Sequence, residues 1–266
     1  MNKNILIMLF ALVFIACGNK EPKTVTKIGT INLDSITVDT LVLLIDEEES
    51  PKAHIHLSMM YGKGDECKAL NNSIVHASLL TPDYMGLLGD NVSVKQAVDS
   101  FIVSFANDYR RDYAPLFRGD REHRQSYEVS YNAYSSVLND REGIVSYIVR
   151  SDTYGGGEHS VSSTIVKNIE LKSGRILKPE DFFVPGYEKP LAELIIEELC
   201  KKEGVASLKE LQGNGIFADI EPYATDNFIV GDGDMTFIYV DSEIAPHEKG
   251  EITIKLTDSQ LNQLLK

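Results

Sequence analysis

The stretch TYGGGEHSV, residues Thr153–Val161, sets three glycines beside a glutamate and a histidine, between two strand-like segments. A glycine-rich run can cradle phosphate when Lys-Ser/Thr follows at a helix start, because backbone N–H groups and a cation then meet the anion. No lysine follows here, and the next residues are strand-like. The glycines suit instead the positive φ angles of a turn or bulge, with His159 hydrogen-bonding that turn. The functional alternative is a recognition surface lined by Tyr154, Gly156, Gly157, Glu158 and His159. No nucleophile stands beside these residues, so none is assigned a catalytic role.

Other candidate chemistry is thinner. His54 and His56 fall on one face of an alternating strand, a spacing that metals accept, but a site needs a third ligand and the neighbouring sequence offers none. An exposed polar face is the expectation there, and neither a metal nor a cofactor is expected in the chain. GDGD (Gly231–Asp234) lacks the ligand ladder of a calcium loop and reads as a hairpin turn. Arg110, Arg111, Arg121 and Arg124 form a basic cluster that either pairs with nearby acids or meets anionic glycan or lipid headgroups. No G-x-S-x-G, no H-E-x-x-H and no cysteine–histidine arrangement marks a nucleophile. The enzyme alternative is a cell-wall-acting activity using His159 with Glu158, or His54 with His56.

The elements that would position these residues follow from periodicity. Ile28–Ile45 is rich in β-branched residues and reads as strand. AHIHLSMMY alternates, with Ile55, Leu57, Met59 and Tyr61 on one face and His54, His56 and Ser58 on the other. Two helices come next: one spans DECKALNNSIVHASLL, and the other carries Val94, Ala97, Val98, Phe101, Ile102 and Phe105 at helical spacing behind a Ser93/Gln96 capping box. Ser126–Leu138, Gly143–Thr153 and Ser160–Leu171 are three strands in series. A helix opening near Pro190, a hairpin across GDGD, a strand EITIKL and a short capped terminal helix complete the chain. Strands grouped with strands, and helices inserted between groups, imply an α+β fold of mainly antiparallel sheets with helices packed on them, in two similar-sized subdomains.

The N-terminus reads as an export signal. Met1–Asn4 carries one lysine, Ile5–Ile15 is unbroken apolar sequence, and Ala16-Cys17 follows, an apolar run too short to span a bilayer. FIAC resembles the bacterial lipobox, which implies cleavage after residue 16 and acylation (palmitate among the chains) of Cys17. Several acyl chains hold a protein on a membrane, each buried methylene contributing about 0.8 kcal/mol. Residues 17–27 are then a polar tether, and the protein is lipid-anchored in the cell envelope, facing the periplasm or the cell surface. A formal net charge of −14 argues against nucleic acid as a partner and favours fast encounter with basic ones. Cys67 and Cys200 are either a disulfide or two buried thiols.

Several segments together resemble a known pair of domains. HIHLSMMYGKGDECKALNNSI resembles the start of the PdaC-type domain, a strand ending in tyrosine and then a helix bearing LN..I. YGGGEHS resembles that family's glycine–histidine signature, and LKSGRILKPEDFF the stretch after it. MTFIYVDSEIAPHEKGEITIKL is similar to the RsiV-type C-terminal domain of unknown function, where a hairpin leads to a YEIAPYAxG loop and a last strand. The resemblance implies a PdaC-like domain over 28–174 and an RsiV-type domain over 175–266. Known relatives place the first domain beside a peptidoglycan deacetylase, and both domains on an anti-sigma factor that senses lysozyme by binding it. This sequence shows neither a deacetylase region nor a cytoplasmic segment, and Glu158 and Ser160 stand where a small residue and a glycine are usual. The resemblance therefore implies a non-catalytic binding module for a protein or glycan ligand, a basic protein such as lysozyme or a peptidoglycan fragment.

Overall fold

The computed structural model describes residues 27–28, 31–139 and 141–266. The expected signal (1–16), the acylated Cys17 and the tether up to residue 26 lie outside them. The described chain is α+β. A seven-stranded sheet holds β1 (Lys27–Ile28), β2 (Ile31–Leu43), β3 (Lys52–Gly62), β4 (Val129–Leu138), β5 (Ile144–Tyr154), β6 (Val161–Glu170) and β7 (Ile176–Leu177) side by side in chain order. A three-stranded sheet follows, β8 (Phe228–Val230), β9 (Asp234–Tyr239) and β10 (Ile252–Thr257), with β9 in the middle.

Every neighbouring pair is antiparallel except β3 with β4. A parallel pair needs a crossover, and α1 (Lys68–His76) and α2 (Val94–Gly119) supply it. Both helices pack on one face of the large sheet. Alternation sends Ala53, Ile55, Leu57 and Met59 of β3 into that interface, where they meet Leu70, Ile74, Val98 and Phe101. Ser93 caps α2 by accepting from Gln96 N, while Gln96 Oε1 accepts from Ser93 N. The LN..I segment acts through Asn71, whose amide exchanges two hydrogen bonds of 2.8 Å with the backbone of Gly62 and so ties α1 to the end of β3. The first helix is shorter than its sequence pattern: α1 stops at His76, because Ser78 takes φ 52° and Ala77, Leu79 and Leu80 leave the helix to fill the core as loop.

The second core forms around α4 (Glu188–Glu203), which lays Leu191, Ile195 and Leu199 on Phe228, Phe237 and Ile254 of the small sheet. Gly204 closes this helix in the left-handed conformation, φ 69°. α3 (Pro179–Phe182), α5 (Leu208–Gly213) and α6 (Asp258–Leu261) finish the small unit, and Thr257 with Gln260 forms the second capping box. Cys67 is in the first unit and Cys200 in the second, both as free thiols.

The two units meet on the other face of the large sheet. Ile148 and Val166 of β5 and β6 pack on Ile238 of β9, with Leu138 and Ile229 at the margin. Polar groups complete the contact: Asn168 takes a bond from Ser146 Oγ (2.6 Å) and donates to Phe228 O (2.9 Å). Asn227 accepts from Val166 N (2.7 Å) and donates to Thr164 O (2.8 Å) and Ile238 O (3.1 Å), pinning β6 to β9. Arg141 Nη2 donates to both carboxylate oxygens of Asp258, at 3.1 and 2.9 Å.

Candidate functional site

The small unit covers only half of that sheet face. The uncovered half is set by register. Thr37, Ser58, Tyr134, Arg150 and Thr164 are successive cross-strand partners over β2 to β6. One rung along, Asp39, His56, Asn132, Asp152 and Ser162 are partners in the same way, and further along His54, Ser130 and Tyr154. Side chains two apart on a strand share a face, so all three rungs point away from the helices. The loop from Asp241 to Glu251 rises beside them. Together they form a groove of about 590 Å³ whose floor is β4–β6, with Tyr134, Arg150, Asp152 and Thr164, and whose wall carries Asp241, His247, Glu248 and Glu251.

Hydrogen bonds fix most of the polar groups. Asp39 lies between two imidazoles, with His54 Nε2 at 2.9 Å from Oδ1 and His56 Nδ1 at 2.9 Å from Oδ2. Its hydrogen bonds to His56 and then His54 hold the carboxyl below its ordinary value of 3.8. His56 in turn packs against the Tyr134 ring, centroids 5.0 Å apart. Asp152 accepts from Ser162 Oγ at 3.1 Å, and Asp241, nearly buried, holds His247 Nδ1 at 2.6 Å. Tyr134 is 52% exposed. Arg150 is exposed too, and it has no ion-pair partner among the described residues.

The glycine stretch lies at the end of this groove. Tyr154 is the last residue of β5 and sits on the groove face; Gly155–Ser160 then turn the chain into β6. Gly156 has φ +83°, and a Cβ there would come 2.0 Å from Ser126 O, so the turn requires glycine at this position. Gly157 has open space around its Cα. Glu158 and His159 project outward, their side chains 95% and 72% exposed and 4.0 Å apart. The His159 ring lies 5.7 Å from that of His247, so the YGGGEHS turn and the EIAPHEKG loop, distant in sequence, meet at one end of the groove.

Other sequence candidates resolve differently. His54 and His56 share Asp39, and no group of three potential ligands could hold a metal among the described residues. GDGD is the β8–β9 turn, closed by Gly231 N on Asp234 O, with Asp234 paired to Lys255 at 2.6 Å. Of the arginines, Arg121 pairs bidentately with Glu47, Arg111 with Asp108 and Asp112, and Arg124 with Glu128 and Glu49, while Arg110 donates to Leu43 O. No helix among the described residues is long and apolar enough to cross a membrane. Sequence reasoning passed over Tyr134, Arg150, Asp152, Asp241 and His247 as site residues. The only signal for the last two was their place in the MTFIYVDSEIAPHEKG segment; the others gather through strand register alone.

Comparison with known proteins agrees with this architecture. Residues 180–259 match a family described as a protein of unknown function, DUF3298. No curated protein matches the chain. A crystal structure of a DUF3298 family member from Bacteroides fragilis superposes with a TM-score of 0.79 at 22% identity, covering 90% of this chain and 94% of that one. A DUF3298 family protein from Pseudomonas aeruginosa gives 0.61 at 18% identity, covering 89% and 94%. The likeness to both thus reaches well beyond the matched segment and into the seven-stranded sheet. Residues 180–259 are thus similar to the DUF3298 family, and the described chain has an α+β fold like that of these two structures.

Proposed function

We propose that this protein is an envelope lipoprotein, held to a membrane by acyl chains on Cys17, whose groove binds an envelope glycan without transforming it. The PdaC-like and RsiV-type reading of its two units belongs to the same proposal. The observation that carries it is the uncovered half of the sheet face. Apart from buried Thr164, three rungs of hydroxyl, amide, carboxylate, imidazole and phenol groups line the face beside a wall from the second unit. Concave sites with an aromatic surface and a few fixed polar groups suit recognition. Bond-breaking chemistry would require a nucleophile or a base held against a reacting centre. Here the carboxylates of the floor are spent on imidazole and hydroxyl partners, and Glu158 and His159 stand in solvent.

A second reading takes a basic protein, such as a lysozyme-like muramidase, as the ligand. Glu248 and Glu251 on the wall, with Glu158 at the end of the groove, are exposed acids on a chain of net charge −14. Such a field speeds association with a cationic partner.

Two experiments test the proposal. Membrane fractionation should find the native protein with membranes and the Cys17→Ala variant released; a variant that fractionates like the native protein refutes the anchor. The full-length chain in detergent should retain soluble peptidoglycan fragments or a basic lysozyme, the latter with affinity falling as salt rises. Binding of neither refutes the ligand role, and turnover of the fragments refutes its non-catalytic part.

A further inference from the structure

We propose that the groove floor is a subsite for a carboxylate-bearing saccharide, its ring stacked on Tyr134 and its carboxylate paired with Arg150. This inference rests on the glycan-binding reading above and names the chemistry it recognises. Tyr134 and Arg150 are direct cross-strand partners on β4 and β5, and such partners have Cβ atoms about 4.5–5.5 Å apart on the same face. One offers an open aromatic surface, the other an uncommitted guanidinium.

The neighbouring groups explain why these two residues are the ones left to a ligand. Asp39 is engaged by His54 and His56, Asp152 by Ser162, and Asp241 by His247. The floor carboxylates are therefore already bonded within the protein, whereas the cation of the floor is not. A guanidinium pairs best with a planar carboxylate, through two parallel charge-assisted hydrogen bonds. The tyrosine ring is held in place by His56 at 5.0 Å, itself fixed by Asp39. A ring so braced loses little conformational freedom when a ligand stacks on it. Thr37 and Ser58, hydrogen-bonded at 3.2 Å, lie along the same rung and supply hydroxyl partners beyond the aromatic surface. A volume near 590 Å³ accommodates two sugar rings.

Two sources supply acidic sugars, uronic acids and lactyl-ether amino sugars, and the probes separate them. The full-length chain in detergent is titrated calorimetrically with N-acetylglucosaminyl-N-acetylmuramic acid, with digalacturonate and with neutral chitobiose. At least one acidic disaccharide should bind about tenfold tighter than chitobiose, one order being the effect of a single charge-assisted contact. Arg150→Gln should erase that difference. Tyr134→Ala should weaken all three about tenfold, and Tyr134→Phe should restore binding. Thermal melting of each variant should match the parent, since both side chains are exposed. Acidic probes no tighter than chitobiose, or insensitivity to both Arg150→Gln and Tyr134→Ala, overturn the subsite. If the disaccharides fail while intact peptidoglycan or lysozyme still binds, the subsite falls and the binding role stands; if nothing binds, both fall.

Discussion

Asn227 should be the most sensitive polar position between the two units. Its amide makes three hydrogen bonds, to Val166 N, Thr164 O and Ile238 O, at 2.7, 2.8 and 3.1 Å. Two partners belong to β6 and one to β9, so removing the side chain breaks the link between the sheets at a single point. Each net hydrogen bond contributes about 0.5–1.5 kcal/mol, which puts Asn227→Ala at about 3 kcal/mol. For a chain of this size that is a fall in Tm of roughly 6–12 °C. Asn227→Asp should cost at least as much, because the oxygen replacing Nδ2 would face two carbonyl oxygens. The assay is urea unfolding followed by far-ultraviolet circular dichroism and by tyrosine fluorescence, which is clean here because the chain has no tryptophan. Loss of the pin should also separate the transitions of the two units, making the two signals diverge. A loss below about 0.5 kcal/mol, within the range of an ordinary surface change, would refute the assignment of Asn227 as the link.

Three further outcomes follow from the same structure. Gly156→Ala should destabilise by about 2 kcal/mol or more, from the positive φ and the clash with Ser126 O, while Gly157→Ala should stay within about 0.5 kcal/mol; equal melting temperatures for the two would refute this account of the turn. The Asp39 carboxyl should titrate below 3.8 in an NMR pH series. Because its folded value is lowered, its contribution to stability is present above that pH and lost as pH falls through the folded value; a midpoint at or above 3.8 contradicts the two-histidine clamp. Tyr84 and Tyr187 are pushed up to about 12, first by burial and then by the nearby Asp108 and Glu180. Their contribution is full below the ordinary value of 10 and lost as pH rises from there toward 12, so tyrosinate absorbance should rise together with unfolding in that window; phenols titrating freely near 10 in folded protein would refute it.

Elements with a strong local pattern were legible in the sequence. The alternation of β3, the capping boxes at Ser93 and Thr257, the β8–β9 hairpin and the turn at Gly156 all follow from residue type and spacing. The α+β class followed from their order. The helix over residues 65–80 was read too long, because Ala77, Leu79 and Leu80 continue the apolar pattern although they are buried as loop. The groove was largely hidden. Tyr134 and Arg150 are sixteen positions apart and face one another only because β4 and β5 pair in one particular register, which local sequence does not specify. Ser146, Asn168 and Asn227 read as ordinary strand or loop residues, yet beneath the small sheet Ser146 donates to Asn168 while Asn227 bonds backbone groups of β6 and β9. Tyr154 and His159 were singled out as candidates from the glycine stretch; what sequence could not supply was their neighbour, the loop bearing His247.

Strand direction has a consequence for access. In the large sheet β2 runs from Ile31 toward Leu43, and β5, three strands away, runs the same way before reaching Tyr154. Tyr154 is level, through Ser130 and His54, with Leu41, ten positions beyond Ile31. At about 3.3 Å per residue, the glycine turn stands roughly 33 Å from that point, and the second unit occupies the nearer part of the same surface. Along β5, Ile148 thus packs beneath the small sheet before the strand reaches the glycine turn at Tyr154, so a ligand at that rim meets the sheet beyond the residues that pack on Ile238.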